Sequence, residues 1–200
     1  MKIGILGGSF NPIHNGHIYM AEMAKKKCDL DVVFIVPAGH SPNKDERKML
    51  TGLNRSTMCK FAVECINGVE TSDVEVLSDS KSYTYITIKK FHEKYNNDEL
   101  YFIMGADSID YFEEWKNPDI IAKYANIIVI NRGEYTDEYI EQKVEYLNSI
   151  FPVNVLKVDC PKIDISSTAI RELFMNKKYD EAKKYLNDKV FEYIIDKDLY

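Results

Sequence analysis

Two histidines three residues apart, His14 and His17, lie in the run Gly7-Gly8-Ser9-Phe10-Asn11-Pro12-Ile13-His14-Asn15-Gly16-His17, at the start of a predicted helix. Residues three apart share one helix face. A helix start also presents unpaired N–H groups and a positive dipole end, which suits an anion. Gly7, Gly8 and Gly16 would let phosphate approach the backbone with no Cβ in the way. Far along the chain, Ile165-Ser166-Ser167-Thr168-Ala169-Ile170-Arg171 puts a run of hydroxyls before an arginine at another helix start. Hydroxyls, helix N–H groups and the planar guanidinium fork are all donors to phosphate. The chemistry these two segments suit is polyphosphate binding.

Plainer readings exist for each. His14 and His17 could cap a helix on a polar surface or form half a zinc site. Zinc needs at least one further ligand, and only His40, His92 and scattered cysteines remain among His and Cys. Arg171 without the hydroxyls before it would be an ion-pairing residue on a helix face.

Several other chemistries are excluded. The first glycines do not form G-x-G-x-x-G, and no G-x-x-x-x-G-K-[ST] loop occurs, which removes the usual dehydrogenase and P-loop kinase signatures. Gly7-Gly8-Ser9-Phe10-Asn11 lacks the second glycine of a hydrolase nucleophile elbow, so Ser9 is a poor nucleophile. The formal charge is −6, from 26 basic and 32 acidic residues, which argues against a general nucleic-acid binder. Positive charge must therefore be local to the site.

Cys28, Cys59, Cys65 and Cys160 form no C-x-x-C pair, and the first residues break into glycines too early for a signal peptide. With no apolar run long enough to span a bilayer, a cytoplasmic protein with reduced thiols is expected. At 200 residues, one domain covering 1–200 is the expectation, and a homo-oligomer is compatible with it.

The elements that would position these residues alternate. Strands are expected over Lys2–Leu6, Val32–Val36, Leu100–Met104, Ile127–Ile130 and about Val153–Val158, with a weaker one over Val74–Leu77. Helices are expected over Asn15–Lys27, Asn54–Ile66, Thr84–Tyr95 and Asp137–Asn148, with a Trp-bearing helical segment before Ile127 and short helices from Ser167 onward. Residues 38–51 read as a loop. The almost wholly apolar strand runs suit strands buried on both faces, so the fold class is α/β with a doubly wound parallel sheet. Ligands in that architecture sit beyond the carboxyl ends of the strands, and the segment 7–17 leaves the first of them.

Gly8-x-Phe10-x-Pro12-x-His14-x-Gly16-His17 resembles the first signature of the nucleotidyltransferase superfamily, and 165–171 resembles its second. Over essentially the whole chain the sequence resembles bacterial nicotinate mononucleotide adenylyltransferases. Ser82-Tyr83-Thr84 is similar to that family's pyridine-binding turn, Gly105-Ala106-Asp107 to its Gly-Ala-Asp after the fourth strand, and Trp115 to its aromatic partner for the base. Asn43 stands where the family usually has a histidine before Lys44, and Asn54 replaces a frequent histidine before Arg55.

The resemblance implies a Rossmann-like fold with a small C-terminal helical region. It implies transfer of AMP from ATP to nicotinate mononucleotide, giving deamido-NAD and pyrophosphate. The catalytic residues it implies are His14, His17, Lys44 and Arg171. ATP would be held by Gly7, Gly8, Ser9, Phe10, His14, His17, Gly105, Asp107, Ile165, Ser167, Thr168 and Arg171. The acceptor would be held by Ser9, Lys44, Tyr83, Thr84, Asp107 and Trp115. Magnesium is expected to arrive with ATP, and no protein-held metal, nucleic acid or membrane partner is expected. A nicotinamide mononucleotide enzyme, another transferase of the superfamily, and a nucleotide sensor without turnover are the alternatives.

Overall fold

The computed structural model describes residues 1–41, 49–133, 135–161 and 164–200. Six strands, β1 (Lys2–Gly8), β2 (Val32–Pro37), β3 (Val69–Thr71), β4 (Glu99–Gly105), β5 (Asn126–Asn131) and β6 (Val155–Asp159), form one sheet. Its order is β3-β2-β1-β4-β5-β6, and every neighbouring pair runs parallel. The order reverses between β1 and β4, so the crevice at their carboxyl ends is the place for a ligand.

Alternation along each strand explains the apolar runs. In β4, Leu100, Phe102 and Met104 pack into one layer while Tyr101 and Ile103 pack into the other. In β5, Ile127 and Val129 oppose Ile128 and Ile130 in the same way. Successive side chains point to opposite faces, so a strand covered on both sides must be apolar at every position. One layer is covered by α1 (Asn15–Lys27) and α2 (Gly52–Val63). The other is covered by α3 (Thr84–Lys94), α4 (Pro118–Tyr124) and α5 (Asp137–Ile150). The C-terminal helices α6 (Ser167–Met175), α7 (Tyr179–Lys183) and α8 (Asp188–Asp196) join the first layer through Ile170, Phe174, Ala182, Val190 and Ile194.

Two expectations are corrected. The third strand is Val69–Thr71, and Val74–Leu77 is a turn with Leu77 84% exposed. Gly68, at φ 73°, reverses the chain after α2 and sets Val69 opposite Val33. Asp73 then accepts from Lys60 Nζ at 2.5 Å and from the Ser56 hydroxyl, while its carbonyl takes the Leu77 N–H at 2.9 Å, closing a turn. The segment after β4 is a 3-10 helix, Ala106–Glu114, with Trp115 as its extended C-cap. A separate helix, α4, follows, started by Pro118, whose missing N–H and fixed φ suit a first turn.

Among the described residues no helix is long and apolar enough to cross a membrane. All four cysteines are free.

Candidate active site

The exit of β1 sits at the centre of the crevice. Phe10 lies at φ 46° and is buried, and the Asn11-Pro12 peptide is cis. This turn delivers His14 as the N-cap of α1, in extended conformation and buried. The His14 N–H donates to His17 Nδ1 at 3.3 Å, and the two rings stack with centroids 3.7 Å apart. Phe10 meets the His17 ring edge-on at 5.0 Å. Because Nδ1 of His17 accepts, its proton sits on Nε2, which is left as a donor. Among the described residues His14 Nδ1 is buried with no hydrogen-bond partner.

Burial holds both imidazoles neutral. It brings His14 down to about 4, with the nearby Arg132 charge adding to it. His17 also lies well below its ordinary value, through burial first and then His14 and Arg132. At Gly16 a Cβ would lie 3.0 Å from His14 Nδ1 and 3.7 Å from Ile165 Cγ2, so a side chain there would crowd the His14 ring. At Gly7 a Cβ would meet only Phe102 at 3.8 Å, and Gly7, Gly8 and Ser9 line the adjoining cavity.

The second signature docks onto the first. Ser166 caps α6 by accepting the Ala169 N–H at 3.1 Å. Ser167 Oγ donates to the Pro12 carbonyl at 2.8 Å, and Arg171 Nη1 donates to the Asn11 carbonyl at 2.8 Å. Arg171 Nη2 donates to Thr168 Oγ1 at 3.0 Å. The Asn15 N–H donates to the Tyr185 carbonyl at 2.9 Å, so the C-terminal helices brace the start of α1. Segments about 150 positions apart in sequence thus share one cleft.

On the other side of the β1 exit is a cavity of about 760 Å³. Tyr83, Thr84, Phe102 and Trp115 contribute walls, joined by Glu75 and Lys116. Trp115 is half-buried and packs against Phe102 at 5.7 Å and Phe112 at 5.5 Å. Tyr83 is half-buried, with the Lys116 ammonium 4.3 Å from its ring centroid. The Tyr83 N–H is already given to the Lys81 carbonyl at 3.1 Å, and the Ser82 N–H to the His40 carbonyl at 2.8 Å. Among the described residues, the open donors at this turn are the helix-start N–H groups of Thr84 and Tyr85, which precede the first bond of α3, from Ile86 to Tyr83. Gly105 ends β4 and Asp107 is exposed in the first 3-10 turn. Lys44, Pro42 and Asn43 lie outside the described residues. Asn54 accepts from the Tyr193 hydroxyl at 3.0 Å, so it serves the joint with α8.

Sequence reasoning missed what surrounds these groups. Arg55, 1% exposed, donates Nε to the Leu50 carbonyl at 3.0 Å and Nη1 to the Ser9 carbonyl at 2.7 Å. Its Nη2 serves the carbonyls of Ala38 and Gly39, the latter at 3.2 Å. One guanidinium thus ties the exits of β1 and β2 and the entry to α2. The Arg55→Met variant should lose roughly 3 kcal/mol or more, because buried carbonyls are left without donors. For a chain of this size that is roughly 6–12 °C in melting temperature. A thermal melt within about 2 °C of wild type would remove this role. Arg132, just after β5, is the second omission, since its charge acts on both histidines. Neither arginine has a local spacing signal, although Arg55 did stand out as matching the family.

Residues 5–173 match the cytidylyltransferase-like family model. A probable nicotinate-nucleotide adenylyltransferase of Clostridium botulinum is 39% identical over 177 residues, 88% of each chain. One from Clostridium tetani is 36% identical over 200 residues, 100% of this chain and 98% of its own. The solved structure of Plasmodium falciparum nicotinic acid mononucleotide adenylyltransferase complexed with NaAD superposes with a TM-score of 0.79 at 25% identity, covering 100% of this chain and 97% of that one. With both signatures meeting in one cleft and relatives matched at 36–39% identity, the chain belongs to the cytidylyltransferase-like family, among its nicotinate-nucleotide adenylyltransferases.

Proposed function

We propose that this enzyme transfers AMP from ATP to nicotinate mononucleotide, forming deamido-NAD and pyrophosphate in NAD biosynthesis. The observation that carries the reading is the arrangement about Gly7–Ser9: a neutral imidazole pair on one side, an aromatic-walled cavity with helix-start donors on the other. The Plasmodium relative, complexed with NaAD, holds the corresponding product.

A phosphate monoester has its second pKa near about 6, so the acceptor is largely dianionic at neutral pH and needs no general base. One of its oxygens attacks the α-phosphorus of ATP, the bond to the β-phosphate breaks, and pyrophosphate carries away the electron pair. The barrier is alignment and charge repulsion, so positioned donors are the catalytic device. His17 Nε2–H and the His14 imidazole donate to the phosphates from the start of α1. Neutral rings let the site stand empty without two buried cations.

Arg171, Ser167 and Thr168 hold the outer phosphates, with Gly8, Phe10 and Ile165 shaping the turn beneath them. Arg171 keeps N–H groups beyond the two bonded to Asn11 and Thr168. Asp107 and Gly105 take the ATP ribose side, and Ser9, Tyr83, Thr84 and Trp115 take the acceptor. Lys44, outside the described residues, would serve both phosphates, as the likeness to the family implies.

Enzymes of this kind typically use a divalent metal with ATP. Among the described residues no three His, Cys, Asp or Glu side chains gather as a metal cage. Magnesium arriving with ATP would screen the phosphate charge and assist the departure of pyrophosphate, beside the donors of Arg171, Ser167 and Thr168. Residues 1–200 act as one domain, and free cysteines with no bilayer-length helix among the described residues suit a cytoplasmic enzyme.

A pyrophosphate-release assay with ATP, magnesium and a panel of phosphorylated acceptors tests the reading. Release is expected only with a pyridine mononucleotide, and it should stop on adding a chelator and return with excess magnesium. Nucleotide binding without release on any acceptor would make the protein a sensor instead.

A further inference from the structure

Glu75 lines the acceptor cavity, yet no step above uses it. It is half-buried, and the Thr87 hydroxyl donates to its Oε1. The Ser82 hydroxyl faces the carboxylate and favours its charged form, while Ser82 Oγ accepts the Gly39 N–H at 2.9 Å. The main chain of Glu75 presses on the same wall, since a Cβ on Gly39 would lie 2.2 Å from the Glu75 carbonyl oxygen. Ser82 and Thr87 bracket Tyr83 and Thr84, and the Thr87 N–H reaches back to the Tyr83 carbonyl at 3.3 Å. The carboxylate therefore holds the acceptor turn from the α3 side through Thr87 and faces Ser82 on the other, while its main chain packs beside the β2 exit.

An anionic group in a cavity meant for an anionic acceptor is a liability unless its charge is spent. Here two hydroxyls and the charges of Lys90 and Arg55 face it, opposing the burial that pushes its pKa up. Resting on the acceptor assignment made above, we propose that Glu75 is a positioning residue. It holds the Ser82–Thr84 turn, through the Ser82 and Thr87 hydroxyls, in the conformation that receives the pyridine ring. Removing it loosens acceptor binding and leaves ATP binding intact.

Trp115 is the chain's single tryptophan and lines this cavity, so acceptor binding can be read from its fluorescence without turnover. Nicotinate mononucleotide should quench the wild type, and E75Q should raise the dissociation constant about tenfold. The KM for ATP should stay within about twofold, because the clamp acts on acceptor binding alone. S82A, a small change that removes the intermediary hydroxyl, should also weaken acceptor binding and keeps the test open if E75Q folds poorly. The S82A/E75Q pair should be less than additive, as residues acting through one contact are.

An unchanged acceptor constant in folded E75Q or S82A, full additivity, or an equal loss for ATP would each overturn the role of Glu75. A wild type unquenched by nicotinate mononucleotide would overturn the acceptor assignment and this inference with it. Quenching that E75Q leaves unmoved would overturn this inference alone.

Discussion

Replacing His17 by alanine should cut turnover about a hundredfold or more while barely changing the KM for ATP, the usual result of removing one preorganised donor to a developing charge. The geometry gives the reason. The His14 N–H occupies His17 Nδ1 at 3.3 Å, and Phe10 and His14 pack against the ring. The imidazole is thus held in one tautomer and one orientation before substrate arrives. A donor fixed in this way costs no reorganisation when charge builds up on the reacting phosphate. His17→Asn keeps an N–H donor on a shorter arm and should recover part of the loss. Steady-state kinetics on folded variants, checked by a thermal melt, decide the point. Turnover of His17→Ala within about twofold of wild type would remove the assigned role.

The second large effect is expected in acceptor choice: kcat/KM for nicotinate mononucleotide should exceed that for its amide by tens-fold to thousands-fold, or roughly 2–4 kcal/mol. The two acceptors differ by a carboxylate against a carboxamide on the same ring. Among the described residues, the Thr84 and Tyr85 N–H groups at the positive end of α3 are the open donors of the turn proposed for the acceptor. Both carboxylate oxygens can take them, whereas the carboxamide would turn its NH₂ donor-to-donor toward one. Each buried group left unpaired costs about 1–3 kcal/mol.

The charges lining the cavity pull in both directions. Lys116, over the Tyr83 ring, favours the acid, while Glu75 and Glu114 oppose it. Glu75 accepts from the Thr87 hydroxyl and faces that of Ser82, and Glu114 is exposed, so the helix-start donors should prevail. Competition kinetics with both acceptors measure the ratio directly. Equal values, or preference for the amide, would mean that the ring sits elsewhere even if AMP is transferred.

Alternating apolar runs and helical periodicity are local properties, and they made the α/β class and most element boundaries legible. Val74–Leu77 was misread because a three-residue edge strand carries too little pattern to compete with an apolar turn. What decided it was Gly68 upstream and the Asp73 contacts to α2, neither of which is a strand signal. The 3-10 segment and α4 were blurred together for a similar reason: a kink at Tyr111 and the left-handed Asn117 interrupt any single period.

Both signature segments are contiguous, because each loads one helix start with its donors over a few residues. They were therefore readable without any tertiary contact. How the donors are held was not. Arg55 reaches the Ser9 carbonyl 46 positions away, Arg171 the Asn11 carbonyl 160 away, and the Tyr200 hydroxyl the Asn11 side chain 189 away. Glu75 grips a turn it precedes by several residues, through hydroxyls that any surface could carry. A motif records which groups face the ligand, since their spacing follows the helix that bears them. The groups that brace it answer to backbone carbonyls and hydroxyls brought close only by packing, and no spacing along the chain encodes such meetings.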